Sequence, residues 1–254
     1  MARVLIPLPD ADFDPTEVAV PWRVLTDAGH AVVFATETGA VAACDPRLLA
    51  GVVFGKLGAD DIAKDCYRQA SQSSEFRNPL PWGKLVATGF DALLLPGGHA
   101  KGMRQYLDSG LLQSFVAEFA TLDRPIAAIC HGVLLMARAK QPGSEFSVLN
   151  GRRTTCLPRY MEALAFGLSF WKLGRYYRTY PAYVESEVCA ALASPSQFER
   201  GPITLGDRGT QDDDSAAFVL EDGNYISARW PGDAWLFARR LVAQLKAQRA
   251  RAKA

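Results

Sequence analysis

Four short apolar runs punctuate the first half of the chain: 3–8 (RVLIPL), 31–36 (AVVFAT), 90–96 (FDALLLP) and 126–129 (IAAI). None alternates apolar with polar, and each is bounded by polar or turn residues, the pattern of strands covered on both faces. Between and beyond them the apolar positions recur at helical spacing. Asp14-Pro15-Thr16-Glu17 opens a helix that runs to Ala28 and stops at Gly29, with Asp14 as N-cap and Glu17 completing a capping-box pattern. Pro21 predicts a kink there, or a helix in two parts. Asp108-Ser109 caps a second helix with Leu111, Leu112, Phe115, Val116 and Phe119 on one face. Pro231-Gly232-Asp233 starts a C-terminal helix whose buried side is Trp235, Leu236, Phe237, Leu241, Val242 and Leu245. Strands alternating with helices predict an α/β fold with a mostly parallel, doubly wound sheet, whose carboxyl-end loops form the site.

The remaining stretches are less regular. Residues 40–82 contain Asp45-Pro46, a polar tract around Gln69 to Glu75, and Asn78-Pro79-Leu80-Pro81-Trp82. They are expected to be an inserted or elaborated segment, partly helical, lying over one end of the sheet. Residues 149–155 (LNGRRTT) read as a turn plus a strand, and 157–200 as helical and aromatic-rich around Tyr176-Tyr177-Arg178-Thr179-Tyr180. Ala216 to Leu220 and Tyr225 to Ala228 flank Glu221-Asp222-Gly223-Asn224, a hairpin signal. With no internal repeat, residues 1–254 are expected to form a single domain carrying that elaboration.

Chemistry concentrates after the fourth run, where Cys130-His131-Gly132 separates IAAI from the helix-forming Val133-Leu134-Leu135-Met136. A strand-to-helix corner of this kind lifts a nucleophile out of the sheet, and the following helix N-terminus favours thiolate. The bland alternative for Cys130 is a small buried hydrophobe. Its place beside one of only three histidines favours function. A thiolate there can add to a carbonyl carbon, giving a hemithioacetal with aldehydes or a thioester with amides. His131 suits general acid/base work near neutral pH.

Composition narrows the partners. With 28 basic and 27 acidic residues the net charge is +1, so no global field points to nucleic acid or a membrane. The C-terminal cluster Arg239, Arg240, Lys246, Arg249, Arg251 and Lys253 reads as a solvated helix face. No apolar run approaches the roughly 20 residues a membrane span needs, and MARVLIPLPDADFD does not read as a signal peptide. Five cysteines without a CxxC pair argue against a disulfide framework, so a reducing cytoplasm is expected and Cys44, Cys66, Cys156 and Cys189 are taken as structural. No two histidines have metal-ligand spacing, and Gly97-Gly98 lacks the continuation of a phosphate loop.

Five stretches in order, Glu17 in PTEVAVPW, LLLPGGHA, AAICHG, LNGRRTT and DGNYISARWPGDAWLFA, resemble the ThiJ/PfpI family of the class I glutamine amidotransferase-like superfamily. The ETG after the second strand, the GGHA and the insertion before LLLPGG are nearest to its heat-shock glyoxalase III-like branch. The resemblance implies a flavodoxin-like three-layer sandwich, usually a homodimer, with Cys130 as nucleophile at an elbow and Glu17 pointing at the sulfur. It further implies an oxyanion hole from the N–H groups of Gly98 and His131, in a pocket bordered by Gly97, His99 and Gly132. Glu162, about 30 positions beyond the cysteine, takes the place of the acid that orients the histidine in that branch.

Read from its residues alone, Glu17 is explained by the capping box, Glu162 by a surface helix, and His99 by a turn. The tyrosines at 176, 177 and 180, with Arg178, could line a pocket, a subunit contact or the core. The leading expectation is a cofactor-free cysteine enzyme turning small 2-oxoaldehydes into 2-hydroxy acids. One elbow also supports a cysteine amidase or peptidase, or a non-enzymatic sensor in which a low-pKa Cys130 is oxidised.

Overall fold

In the computed structural model, which describes residues 1–52 and 57–251, the apolar runs become the central strands of a seven-stranded sheet. Residues 53–56 of the elaborated segment and Lys253 of the basic cluster lie outside the described residues. The strands are β1 (Arg3–Pro7), β2 (Ala11–Phe13), β3 (Ala31–Thr36), β4 (Ala43–Cys44), β5 (Leu80–Pro81), β6 (Ala92–Leu95), β7 (Ile126–Ile129), β8 (Val219–Asp222) and β9 (Tyr225–Ala228). The main sheet runs β5-β3-β1-β6-β7-β9-β8, with β2 and β4 paired separately. All its pairs are parallel except β8 with β9. Every residue of β6 and β7 is buried, which is why these strands lack alternation.

The helices are α1 (Pro15–Asp27), α2 (Pro46–Ala50), α3 (Asp61–Gln72), α4 (Ser74–Arg77), α5 (Met103–Leu107), α6 (Gly110–Ala120), α7 (Val133–Arg138), α8 (Arg159–Leu173), α9 (Val184–Ala190) and α10 (Ala234–Arg251). α1 packs on α3 and α10, while α7 packs on α6 and α9, giving the flavodoxin-like three-layer sandwich. From β1 the chain winds outward to β3 and β5, then crosses back to β6 on the other side of β1. That reversal opens a crevice at the carboxyl ends of β1 and β6, where ligands of open α/β sheets bind.

Several sequence expectations are corrected here. Glu17 does not close a capping box; Asp14 alone caps α1, accepting from Thr16 N at 2.8 Å and Glu17 N at 3.2 Å, and the Glu17 carboxyl turns away to Gly97. α1 continues through Pro21 as one helix, which removes the two-part alternative. Residues 40–82 do more than cover the sheet, because they end in β5, its edge strand against β3. Residues 149–155 form no strand. Gly151 turns the chain at φ 88°, and the Arg153 N–H donates to the Asp222 carboxylate, leaving Thr154 a single bridge with Phe198. In the hairpin, Glu221 and Asp222 belong to β8, so the turn shrinks to Gly223-Asn224. Leu111 is half exposed, one residue short of the buried stripe of α6.

Candidate active site

The site grows from the end of β7. Cys130 follows Ile129 with φ 57°, a left-handed conformation that a non-glycine side chain adopts at a cost of about 1–3 kcal/mol. Residues 130–132 make one tight turn and α7 starts at Val133, so the sulfur stands at the sheet's carboxyl edge. Gly132 lets this turn press on β6: a Cβ there would lie 2.1 Å from the Leu95 carbonyl oxygen. Gly97 plays the matching part on the neighbouring loop, where a Cβ would lie 2.7 Å from His131 N and 2.9 Å from Glu17 Oε2.

Two hydrogen bonds lace α1 to that loop. Gly97 N donates to Glu17 Oε2 at 2.7 Å, and Asp14 N donates to the Gly97 carbonyl at 3.0 Å. Glu17 is fully buried beside the Cys130 thiol. Burial above all, with the nearby Asp14 charge, lifts the Glu17 pKa well above the carboxylate range, so the group is a neutral acid. The Cys130 thiol is also pushed up, by burial first; Glu17, as a neutral acid, adds no charge there, whereas the Asp14 carboxylate does. This corrects the expected low-pKa thiolate: α7 has only six residues, and its N-terminal field does not offset desolvation. Burial raises Asp14 to about 6.

His131 is turned with Nδ1 3.5 Å from Cys130 Sγ and Nε2 3.4 Å from Thr179 Oγ1. The Thr179 hydroxyl donates to the His99 carbonyl at 2.5 Å, so its oxygen is left to accept from His131. That assigns the hydrogen to Nε2 and the lone pair on Nδ1 to the thiol. The expected orienting acid is elsewhere. Glu162 accepts from Val184 N at 3.1 Å and faces Arg178 Nε at 3.5 Å, because α8 presents it to the start of α9 rather than to the elbow. Burial raises Glu162 to about 7. His99 is half-buried in the same cavity, its Nε2 enclosed, stacked on Tyr177 at 4.3 Å and edge-on to Tyr176 at 4.9 Å. Burial lowers both His99 and His131 to about 3.

Cys130, Glu17, His99 and Glu162 share one cavity of about 170 Å³ with Asp14 and Tyr177. Its walls are largely apolar: Leu48 and Leu57 from the elaborated segment, and Leu157, Met161, Leu164 and Leu168 around α8. Arg208 and Trp230 complete it. Sequence reasoning missed Thr179, inside a segment read mainly for its tyrosines, and Arg208, in an irregular loop without any motif. Among the described residues no group of three or more His, Cys, Asp or Glu is arranged to hold a metal ion, and no helix is long and apolar enough to cross a membrane.

The histidines fix one consequence of pH. Unfolded, a histidine takes a proton near pH 6.5, whereas His99 and His131 in the fold refuse one down to about 3. The unfolded chain therefore binds more protons across that window, and this contribution to stability is lost as pH falls from about 6.5 toward 3. Asp14, Glu17 and Glu162 act with the opposite sign: their pKa values are raised in the fold, so their contribution is full at acid pH and lost as pH rises. His131→Asn removes one histidine's share. On going from pH 7 to 4.5, urea titrations should show the variant losing roughly 2 kcal/mol less stability than the wild type.

A thiol on a strained elbow next to the switch point of a doubly wound sheet, beside a buried carboxyl and an imidazole, defines a nucleophile-elbow α/β protein. The sequence model described as ThiJ/PfpI family-like matches residues 8–202, and the chain belongs to this family. An uncharacterized protein of Schizosaccharomyces pombe, C14C4.04, is 30% identical over 251 residues, covering 94% of this chain and 82% of that one. The deglycase PYRAB04690 of Pyrococcus abyssi is 25% identical over 244 residues, covering 96% and 99%. The crystal structure of glyoxalase III from Candida albicans superposes with a TM-score of 0.66 at 18% identity, covering 95% of this chain and 96% of that one.

Proposed function

We propose that this chain is a cofactor-free cysteine enzyme that converts small 2-oxoaldehydes and water to 2-hydroxy acids. The observation that carries this reading is the seating of the Cys130 thiol, on the wall of an apolar cavity, between the Glu17 carboxyl and His131 Nδ1. Sulfur adds to the aldehyde carbon while His131 Nδ1 takes the thiol proton. The oxygen of the tetrahedral adduct is received by the N–H groups of Gly98 and His131, and the Glu17 acid holds the sulfur side of the adduct. His131 returns the thiol proton to the adduct oxygen, giving the neutral hemithioacetal, and is free again as a base. It then carries a proton from the former aldehyde carbon to the adjacent carbon while the hydroxyl proton passes to the neighbouring oxygen, turning hemithioacetal into the thioester of the 2-hydroxy acid. Water releases the 2-hydroxy acid and restores the thiol.

Names of relatives support the carbonyl chemistry: one at 25% identity is called a deglycase, and one with the same fold glyoxalase III. The oxidation-sensor alternative is disfavoured because Cys130 is only 3% exposed and held protonated. Methylglyoxal supplied without added thiol should give lactate; wild-type protein inert toward several 2-oxoaldehydes would sink the proposal.

In this mechanism Thr179 is a positioning residue for His131, and Glu162 is not. Thr179→Val keeps the side-chain shape and removes the acceptor, so kcat should fall about tenfold with KM little changed. Glu162→Gln should lower kcat less than that. The reverse order would restore Glu162 as the orienting acid.

A further inference from the structure

The cavity has a second polar locus, on the wall formed by Tyr177, Arg208 and Trp230. The Arg208 guanidinium lies over the Trp230 ring at 5.0 Å and donates through Nη2 to the Gly58 carbonyl at 3.1 Å. Its charge acts on both Asp14 and Tyr177, which places it near these groups. The Asp14 Oδ1 accepts from the N–H groups of Thr16 and Glu17. Arg208 Nη1, the Tyr177 hydroxyl and Trp230 Nε1 are all buried and have no hydrogen-bond partner among the described residues. A buried donor without an acceptor destabilises a fold, and a guanidinium nitrogen with a hydroxyl and an indole N–H on the same wall call for the same complement, a negative group with several lone pairs. The planar fork of arginine matches a carboxylate.

We propose that this wall is a carboxylate-binding subsite, and that the carbonyl compound brought to Cys130 carries a carboxylate joined to the reacting carbon by an apolar segment. Leu157, Met161 and Leu168 supply the wall for that segment. A cavity of about 150 Å³ admits a benzene-sized guest, so the 170 Å³ here suits a ligand of similar or slightly larger size. The subsite rests on the proposed function for the reaction it feeds, but not for its own existence, so its test reads binding alone.

The experiment is thermal unfolding of the intact chain with hexanoate, hexanamide and 1-hexanol as probes at fixed ionic strength. Hexanoate should raise Tm in a saturable way, and hexanamide and hexanol should bind at least about tenfold more weakly. Arg208→Gln should weaken hexanoate about ten- to a hundredfold. Trp230→Phe and Tyr177→Phe, which keep the rings and remove the donors, should each weaken it a few-fold, and they carry the test should Arg208→Gln fail to fold. No stabilisation by hexanoate, equal affinity for the amide, or a carboxylate preference that survives in every folded variant overturns the subsite. Cys130→Ala should still bind hexanoate. Hexanoate binding by a protein inert toward 2-oxoaldehydes supports the subsite and removes the reaction assigned to it, whereas turnover without hexanoate binding does the reverse.

Discussion

Cys130→Ser should fold normally and lose at least about a thousandfold in kcat/KM toward methylglyoxal, the scale seen when a covalent nucleophile is removed. Serine has the same number of atoms, with a smaller oxygen in place of sulfur, and stays within the same turn, so urea midpoints should agree closely with the wild type. The chemistry does not survive the exchange. A neutral imidazole lowered to about 3 is a weak base. It can accept a proton from a thiol as the sulfur bonds to carbon, but an alcohol holds its proton far more tightly. Glu17 cannot compensate, because burial keeps it as a neutral acid. Lactate formation followed with wild-type and variant protein side by side checks this, and a serine variant within tenfold of the wild type would remove Cys130 from the mechanism.

The second large effect is on stability. Gly132→Ala would set a methyl carbon 2.1 Å from the Leu95 carbonyl oxygen, 2.6 Å from that of Pro96 and 2.8 Å from the Leu95 carbonyl carbon. All three are backbone atoms at the end of β6, so no side chain can swing aside. Overpacking a core typically destabilises by 1–3 kcal/mol; here the obstacle is a central strand, and a loss of at least about 3 kcal/mol is expected. Gly110→Ala is the control: it opens α6, has nothing within 4 Å of its Cβ, and should be neutral or slightly stabilising. Denaturant midpoints for the pair check the contrast, and similar midpoints would mean the elbow relaxes without involving β6.

How far the sequence was legible follows from what each residue answers to. β3, β7 and β9 could be read to the residue because short apolar-rich runs ended at turn residues, whereas glycine located the hairpin turn but not the bounds of β8. The elbow showed itself as a change of pattern around Cys130. Glu17 was visible only through resemblance, since Asp14 made a capping box a sufficient local account of it. Glu162 does not bond the imidazole, and spacing along the chain says nothing of which neighbour α8 meets; its carboxylate accepts from the start of α9, and a threonine 80 residues from its partner His99 meets His131 Nε2. Arg208 gave no sign at all. Its partners are set by three segments, around Gly58, Tyr177 and Trp230, that only the folded chain brings together.

Because Thr179 rather than a carboxylate holds His131, the resting elbow is chemically latent. Thiol, acid and imidazole are all uncharged at neutral pH, so the sulfur offers peroxide and stray electrophiles little of the thiolate they need. On the proposed mechanism its nucleophilicity emerges only while a bound carbonyl is there to receive it, and the sulfur is thereby spared between turnovers.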